Sequence, residues 1–281
     1  MKPCPPCGSG RVNLWTYGAA CEGVRKGWPE SKIREYLLAE TNHYGEEAET
    51  EIERAIQRAF LMAGQRKQPL SPWPALNASL RKQVTEEGPG WENLQKRSPI
   101  GNCSASEALE RLFPDNPLLW AALEICPEQC ADTLPMRSWL QVASKMQFIV
   151  PNPVTSQVVP TGGHSKRCLT NTGPRRFQVI ESDSGTFNEQ VAVLWYLAKF
   201  APLCAVVCSG GKSLHGWFYV AGRGDPWSRR FMELAVSLGA DKATWTKCQA
   251  VRMPGGHRTK NGARQEIIFF DDKAVVNGGG R

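Results

Sequence analysis

The segment "CSGGKSLHGWFYV", residues Cys208 to Val220, joins a glycine pair, a lysine, a hydroxyl and a histidine to an apolar run. Gly211-Lys212-Ser213 matches the end of a Walker A phosphate loop. That motif needs a glycine five positions before Gly211, where this chain has Val206. The flanks also argue against it, because "PLCAVVC" reads as a buried strand and "LHGWFYV" as a second strand, not a helix. On a strand, Ser213 and His215 share one face, directly after a Gly210-Gly211-Lys212 turn. A second stretch, "RFQVIESDSGTF", raises a matching question. If Arg176 to Ser182 is a strand, Glu181 and Asp183 end up on one face with Cα atoms about 7 Å apart. Two carboxylates this close repel each other, and a hard divalent cation such as Mg²⁺ or Mn²⁺ removes the penalty. The competing reading is turn chemistry, for which Glu-Ser-Asp-Ser-Gly is equally suited. A histidine and a hydroxyl beside a metal site can hold a phosphate, whereas His215 considered alone fits a structural role.

The elements that must position these residues follow from apolar spacing. From Val12 to about Gly64 the spacing is helical: Leu14, Tyr17, Cys21 and Val24, then Ile33, Leu37 and Leu38 after Trp28-Pro29, then Ile52, Ala55, Ile56, Ala59 and Phe60. Thr50 and Glu53 have capping-box spacing at the start of the third helix. Residues 1–64 are thus expected to form a small helical bundle. Residues 65–103, rich in Pro, Gly, Lys and Trp, read as a basic linker arm with little core of its own. Residues 104–281 read as a catalytic-type domain. It has a helical patch over Ala105 to Ile125 and strands at "QFIVPNP", "RFQVIESDS", "LCAVVCSGG", "SLHGWFYV" and "QEIIFFDD". Two helices lie between them, over Asn188 to Lys199 and Trp227 to Leu238. The expected fold class is α+β, the bundle followed by a mixed α/β domain.

Composition bounds the function. A chain of 281 residues with 41% hydrophobic content can bury one large or two modest cores, which sets aside intrinsic disorder. Lys and Arg total 34 against 27 acidic residues, and the net charge of +7 leans towards a polyanionic partner. No apolar run approaches the roughly 18 residues of a membrane span, and "MKPCPPCGSG" does not open a secretory leader. With ten cysteines and no such leader, a reducing, cytoplasmic setting is expected. Cys4-x-x-Cys7 is half of a structural zinc site and Cys126 with Cys130 a looser pair. A second C-x-x-C is missing, so free thiols compete with a Zn²⁺ site.

In order and spacing, "VIESDSG", "CSGGKSLHGWF", "LGADKATW", "VRMPGGHR" and "QEIIFFDD" resemble the catalytic domain of the archaeo-eukaryotic primase superfamily, in particular the primase-polymerases of phages, plasmids and other mobile elements. The resemblance spans roughly Gln147 to Asp271. It rests on an acid-x-acid pair, a Ser-x-His and a later acid, with the Arg-x-Pro-Gly segment as a further match. The N-terminal bundle is similar to the small helical domain attached to such primases, more commonly at the other end. The resemblance implies a two-ion Mg²⁺ or Mn²⁺ site with Glu181 and Asp183 as ligands and Asp241 as the third, Asp271 being the runner-up. It makes Ser213 and His215 contacts to the phosphates of the incoming nucleotide, and Lys212, Arg252 and Arg258 phosphate or template contacts. No role follows for His257. The implied activity is primer synthesis or extension on single-stranded DNA from NTPs or dNTPs, with a separate replicative helicase as partner. Two rival readings remain: a non-catalytic nucleic-acid-binding relative acting as initiator or regulator, and a metal-dependent nuclease. The nuclease does not account for Ser213-x-His215 beside Lys212.

Overall fold

A computed structural model of the chain describes residues 4, 12–41, 46–64, 72–124, 130–160 and 165–276. The chain divides into two compact units, Met1–Pro72 and Trp73–Arg281. Among the described residues no helix is long and apolar enough to cross a membrane.

Among the described residues the first unit contains three helices, α1 (Val12–Arg25), α2 (Glu30–Thr41) and α3 (Glu46–Gly64). Their core is Ala19, Ala20, Ile33, Leu37, Ile52, Ala55, Ile56 and Ala59, the positions that period 3.6 selects on α2 and α3. Gly23 admits α2 at close range, since a Cβ there would stand 2.7 Å from Ile33 Cγ1. The expected capping box does not form. Helix α3 starts at Glu46, so Thr50 lies inside it, and Glu53 pairs with Arg34 of α2.

The second unit is α+β. Its elements are α4 (Ala78–Glu87), α5 (Trp91–Lys96), α6 (Ala105–Leu112), β1 (Leu118–Ala122), β2 (Ala131–Pro135), α7 (Met136–Trp139), β3 (Phe148–Ile149), β4 (Phe177–Ser182), α8 (Phe187–Leu197), β5 (Leu203–Cys208), β6 (Leu214–Tyr219), α9 (Gly224–Ser237), β7 (Val251–Arg252), β8 (Ile267–Phe270) and α10 (Lys273–Val276). Two antiparallel sheets form, in the orders β2-β1-β3-β7 and β4-β6-β5-β8. One face of the second sheet, with Phe177, Val179, Val207 and Trp217, shares a core with Leu119, Ala121, Ile149 and Val251 of the first sheet. Its other face, with Ile180, Val206 and Phe218, packs on Leu194 and Leu197 of α8 and Phe231, Met232 and Ala235 of α9. Strand β4 and the three strands after it on this sheet fall where the apolar runs place them, as do α8 and α9.

Two expectations change. The helix expected over Ala105 to Ile125 stops at Leu112. Ser104 and Glu107 cap its start in a reciprocal box, and Pro114 and Pro117 follow its end, releasing Leu118–Ala122 as a strand. The larger change concerns the arm. Residues 73–103 belong to the second unit, not to a linker, because Val84 of α4 and Leu94 of α5 are buried in the same core as Ile180, Val191 and Leu194. Gly88 lets α4 approach α8 so closely that a Cβ there would stand 2.4 Å from Ala192 Cβ. Asn188 of α8 caps the other helix, accepting from the Trp91 amide at 2.8 Å, and Ile100 donates to Phe270 of β8 at 3.2 Å. Leu94 is fully buried, so Leu94→Ala should lower stability by about 2–5 kcal/mol in thermal or denaturant unfolding. A chain begun at Ser104 should aggregate, whereas one begun at Trp73 should melt cooperatively. Solubility and circular dichroism of both truncations check this.

Candidate active site

Glu181 is the next-to-last residue of β4 and lies opposite His215 of β6 in the antiparallel ladder. Ser213, immediately before β6, has the same facing as His215. Its Oγ donates to Glu181 Oε1 at 2.9 Å, and His215 Nε2 lies 3.3 Å from the same oxygen, outside hydrogen-bond alignment. Among the described residues neither ring nitrogen of His215 has a hydrogen-bond partner, although the side chain is 3% exposed. Burial alone would raise the Glu181 pKa. The contact with His215, the Ser213 hydroxyl and the nearby Arg252 outweigh it and pull the carboxyl down to about 2. The carboxylate is therefore ionised at a half-buried position, with Ser213 donating to its Oε1.

The turn ahead of β6 is held from three sides. Within it, Ser209 N donates to Ser213 O at 2.9 Å and the two hydroxyls lie 3.0 Å apart. From α8, buried Gln190 donates to Lys212 O and accepts from Leu214 N, both at 2.8 Å. From the loop after β7, Asn261 donates to Gly210 O at 2.9 Å. Gly210 has φ +71°, a conformation that suits glycine. Gly211 leaves room for Arg258, whose Nη1 would be 2.1 Å from an added Cβ. Lys212 is exposed. Arg252 of β7 donates to Gln147 at 3.1 Å and lies 4.7 Å over the Phe148 ring. Burial and the neighbouring Arg258 lower its pKa, with Glu181 opposing them. Ser213, His215 and Arg252 thus bring hydrogen-bond donors and positive charge to one half-buried carboxylate, with Arg258 beside Arg252 and Gly211.

The acids are distributed unevenly. Asp183 is exposed, one residue beyond the end of β4. Asp241 adjoins Glu181 through the backbone, its amide donating to Glu181 O at 2.7 Å along the free edge of β4, while its carboxylate caps a 3-10 turn at Lys242–Trp245 by accepting from Ala243 N. Asp271 is not part of this group. It follows β8 beside Cys204, at the opposite end of the sheet, because β8 runs antiparallel to β5. His257 is exposed in an isolated bridge with Arg264. Cys7 and Cys126 lie outside the described residues, and with them the zinc pairing. Among the described residues no three His, Cys, Asp or Glu side chains cluster as a metal cage. A Mg²⁺-type ion takes one or two protein carboxylates and fills its shell with water and phosphate oxygens, so ionised Glu181 with Asp183 nearby is a donor set it fits.

Arg81 of α4 ties the acid-bearing segments together. Its Nη1 donates to Leu238 O at 2.6 Å, ahead of Asp241, and its Nη2 to Ser184 O at 3.3 Å, just after Asp183. Gly239 and Gly185, at φ +96° and +85°, make the space: a Cβ at Gly239 would stand 1.9 Å from Nη1, and one at Gly185 3.0 Å from Nη2. Motif reading missed Arg81, Gln190 and Ser209. Only Gln190 carries a sequence signal, as the polar residue on a face that continues with Leu194 and Leu197.

The chain matches no family model and no curated protein. Among solved structures it is similar to the archaeo-eukaryotic primase (AEP) domain of the cyanophage S-2L primase-polymerase, at 18% identity and a TM-score of 0.40, over 60% of this chain and 93% of that one.

Two outcomes follow from the geometry. Because the Glu181 pKa is depressed in the folded state, its contribution to stability is complete above about pH 4.5 and is lost as pH falls towards 2. Acid unfolding followed by circular dichroism should contain this component in the wild type and lack it in Glu181→Gln. Gly211→Ala should displace the flexible end of Arg258 and leave the melting temperature nearly unchanged, while weakening retention of a triphosphate in equilibrium binding.

Proposed function

We propose that this chain is a nucleotidyltransferase of the primase-polymerase type, adding nucleotides to a primer end, or to a first nucleotide, on a single-stranded DNA template. The observation that carries this reading is the juxtaposition of Ser213 and His215 with ionised Glu181 across the β4–β6 pairing, with Arg252 close to Glu181 and Arg258 beside Arg252 and Gly211. The sequence resemblance assigns these same positions to metal and triphosphate contacts. In this role the Ser213 hydroxyl and the His215 imidazole donate to phosphate oxygens, and the arginines offset the charge that develops as pyrophosphate leaves. Glu181 and Asp183 hold the divalent ions, with Asp241 as the adjoining third acid. When bound, such ions neutralise the triphosphate and favour the deprotonated 3′-hydroxyl. Lys212, exposed on the turn, is available to the same phosphates or to template.

Hydrolysis by a nuclease needs the carboxylates but leaves the phosphate-binding donors without a purpose, and a non-catalytic binder needs no ionised, half-buried Glu181. One assay separates the three readings. Protein incubated with single-stranded template, labelled nucleotides and Mg²⁺ or Mn²⁺, with and without primer, should give extension; cleavage or mere retention of the DNA would overturn the proposal. Glu181→Ala should abolish incorporation. His215→Phe keeps ring volume and removes the imidazole beside Glu181, which retains the Ser213 hydroxyl as donor. It should raise the apparent KM for nucleotide about tenfold, roughly the loss of one charge-assisted contact, with a small change in melting temperature. A large thermal loss with normal nucleotide kinetics would make His215 a packing residue.

A further inference from the structure

The end of the second sheet remote from Glu181 carries another concave surface. Two cavities of about 550 and 570 Å³ meet there, sharing Trp195 and Lys199 of the α8 end. Leu203, the first residue of β5, lines one of them, so the groove lies about one strand length, roughly 20 Å, from the Ser213 turn. Four cations line the groove: Arg97, Lys199, Arg223 and Lys273. Among the described residues none has a carboxylate within ion-pair distance, whereas Arg111, Lys166 and Arg176 elsewhere on the unit are paired with Asp272, Asp132 and Asp115. Three of the four lie over aromatic rings instead: Arg97 over Trp195 and Lys199 over Tyr196 at 5.0 Å, and Arg223 over Trp227 at 4.4 Å. The lining carboxylates are otherwise engaged, Asp271 accepting the Lys273 amide at 3.1 Å and Glu87 the Gln83 amide group at 3.1 Å. Phe200 remains 45% exposed.

The geometry points to a second binding groove for single-stranded nucleic acid, separate from the candidate active site. Unpaired cations interleaved with the exposed Phe200 ring and the half-buried Trp195 and Tyr196 suit a ligand that alternates negative charge with flat π surfaces. A duplex hides its base faces, and an acidic peptide offers charge without rings. The inference rests on this charge and ring pattern, not on the catalytic proposal.

The test uses the full chain and a fluorescein-labelled oligothymidylate of about a dozen residues, within the span of such grooves. Lys199→Glu/Lys273→Glu should weaken binding about tenfold at low salt. It should also flatten the plot of log affinity against log salt by about 1.4, twice the roughly 0.7 expected per phosphate contact. Phe200→Ser should weaken binding with the slope unchanged. Photocrosslinking with 4-thiothymidine should tag the segment around Trp195 to Phe200, and incorporation on a saturating short primer–template should match the wild type in both variants. Unchanged affinity and slope in the double variant, competition by polyglutamate as strong as by the oligonucleotide, or crosslinks confined to the Ser213 turn would overturn the groove. An inactive wild type in the incorporation assay would count against the catalytic proposal and leave these binding results intact.

Discussion

Glu181 faces His215 because β4 and β6 pair in one antiparallel register, and the side-chain period of two carries Ser213 onto the same face. A slip of one residue would turn Glu181 towards the helix layer and bring Ile180 into the polar group. Trp217, Val179 and Phe177, stacked below Glu181 and His215 in the inter-sheet core, make that slip costly. The packing that stabilises the sheet therefore also aims the chemistry. The polar group occupies the last positions of a face that is otherwise largely apolar, where the sheet runs out.

A half-buried carboxylate would ordinarily hold a proton more tightly, since burial disfavours its charge. Here the surroundings reverse the preference through a hydroxyl donor, an imidazole and an arginine. Arg252 in turn is crowded by Arg258 and shielded from water, so the cations gain from any further negative charge that enters. In the proposed function that further charge is the triphosphate's. The supports of the turn, Gln190 from the helix layer and Asn261 from the opposite loop, hold its backbone through carbonyl and amide groups and leave the Ser213 side chain to face Glu181.

The parts of the fold legible in sequence were those with strong apolar runs. Strands β4, β5, β6 and β8 have continuous buried stretches, and α8 and α9 have clear helical faces. Strands β3 and β7 are two residues long, and the run "LLWAA" of β1 lacks an alternation to separate it from helix. The arm over 73–103 read as a linker because it gives the core few residues. Val84 and Leu94 are fully placed, but they stand among Pro, Gly and charge, and their partners lie a hundred residues away. The shared facing of Ser213 and His215 followed from their spacing of two at the start of β6. The position of Asp271 did not follow from spacing, because only strand direction reveals that it belongs to the other end of the sheet.

Arg81 gives that misread segment a mechanical meaning. One guanidinium, mounted on a helix outside the sheet, grips the chain just after Asp183 and just before Asp241. The spacing between these two acids is thereby held by this strut together with the Asp241 amide on Glu181 O. A shift of α4 along α8 would therefore pull on the segments that carry both acids, a lever on the site's geometry applied from outside it.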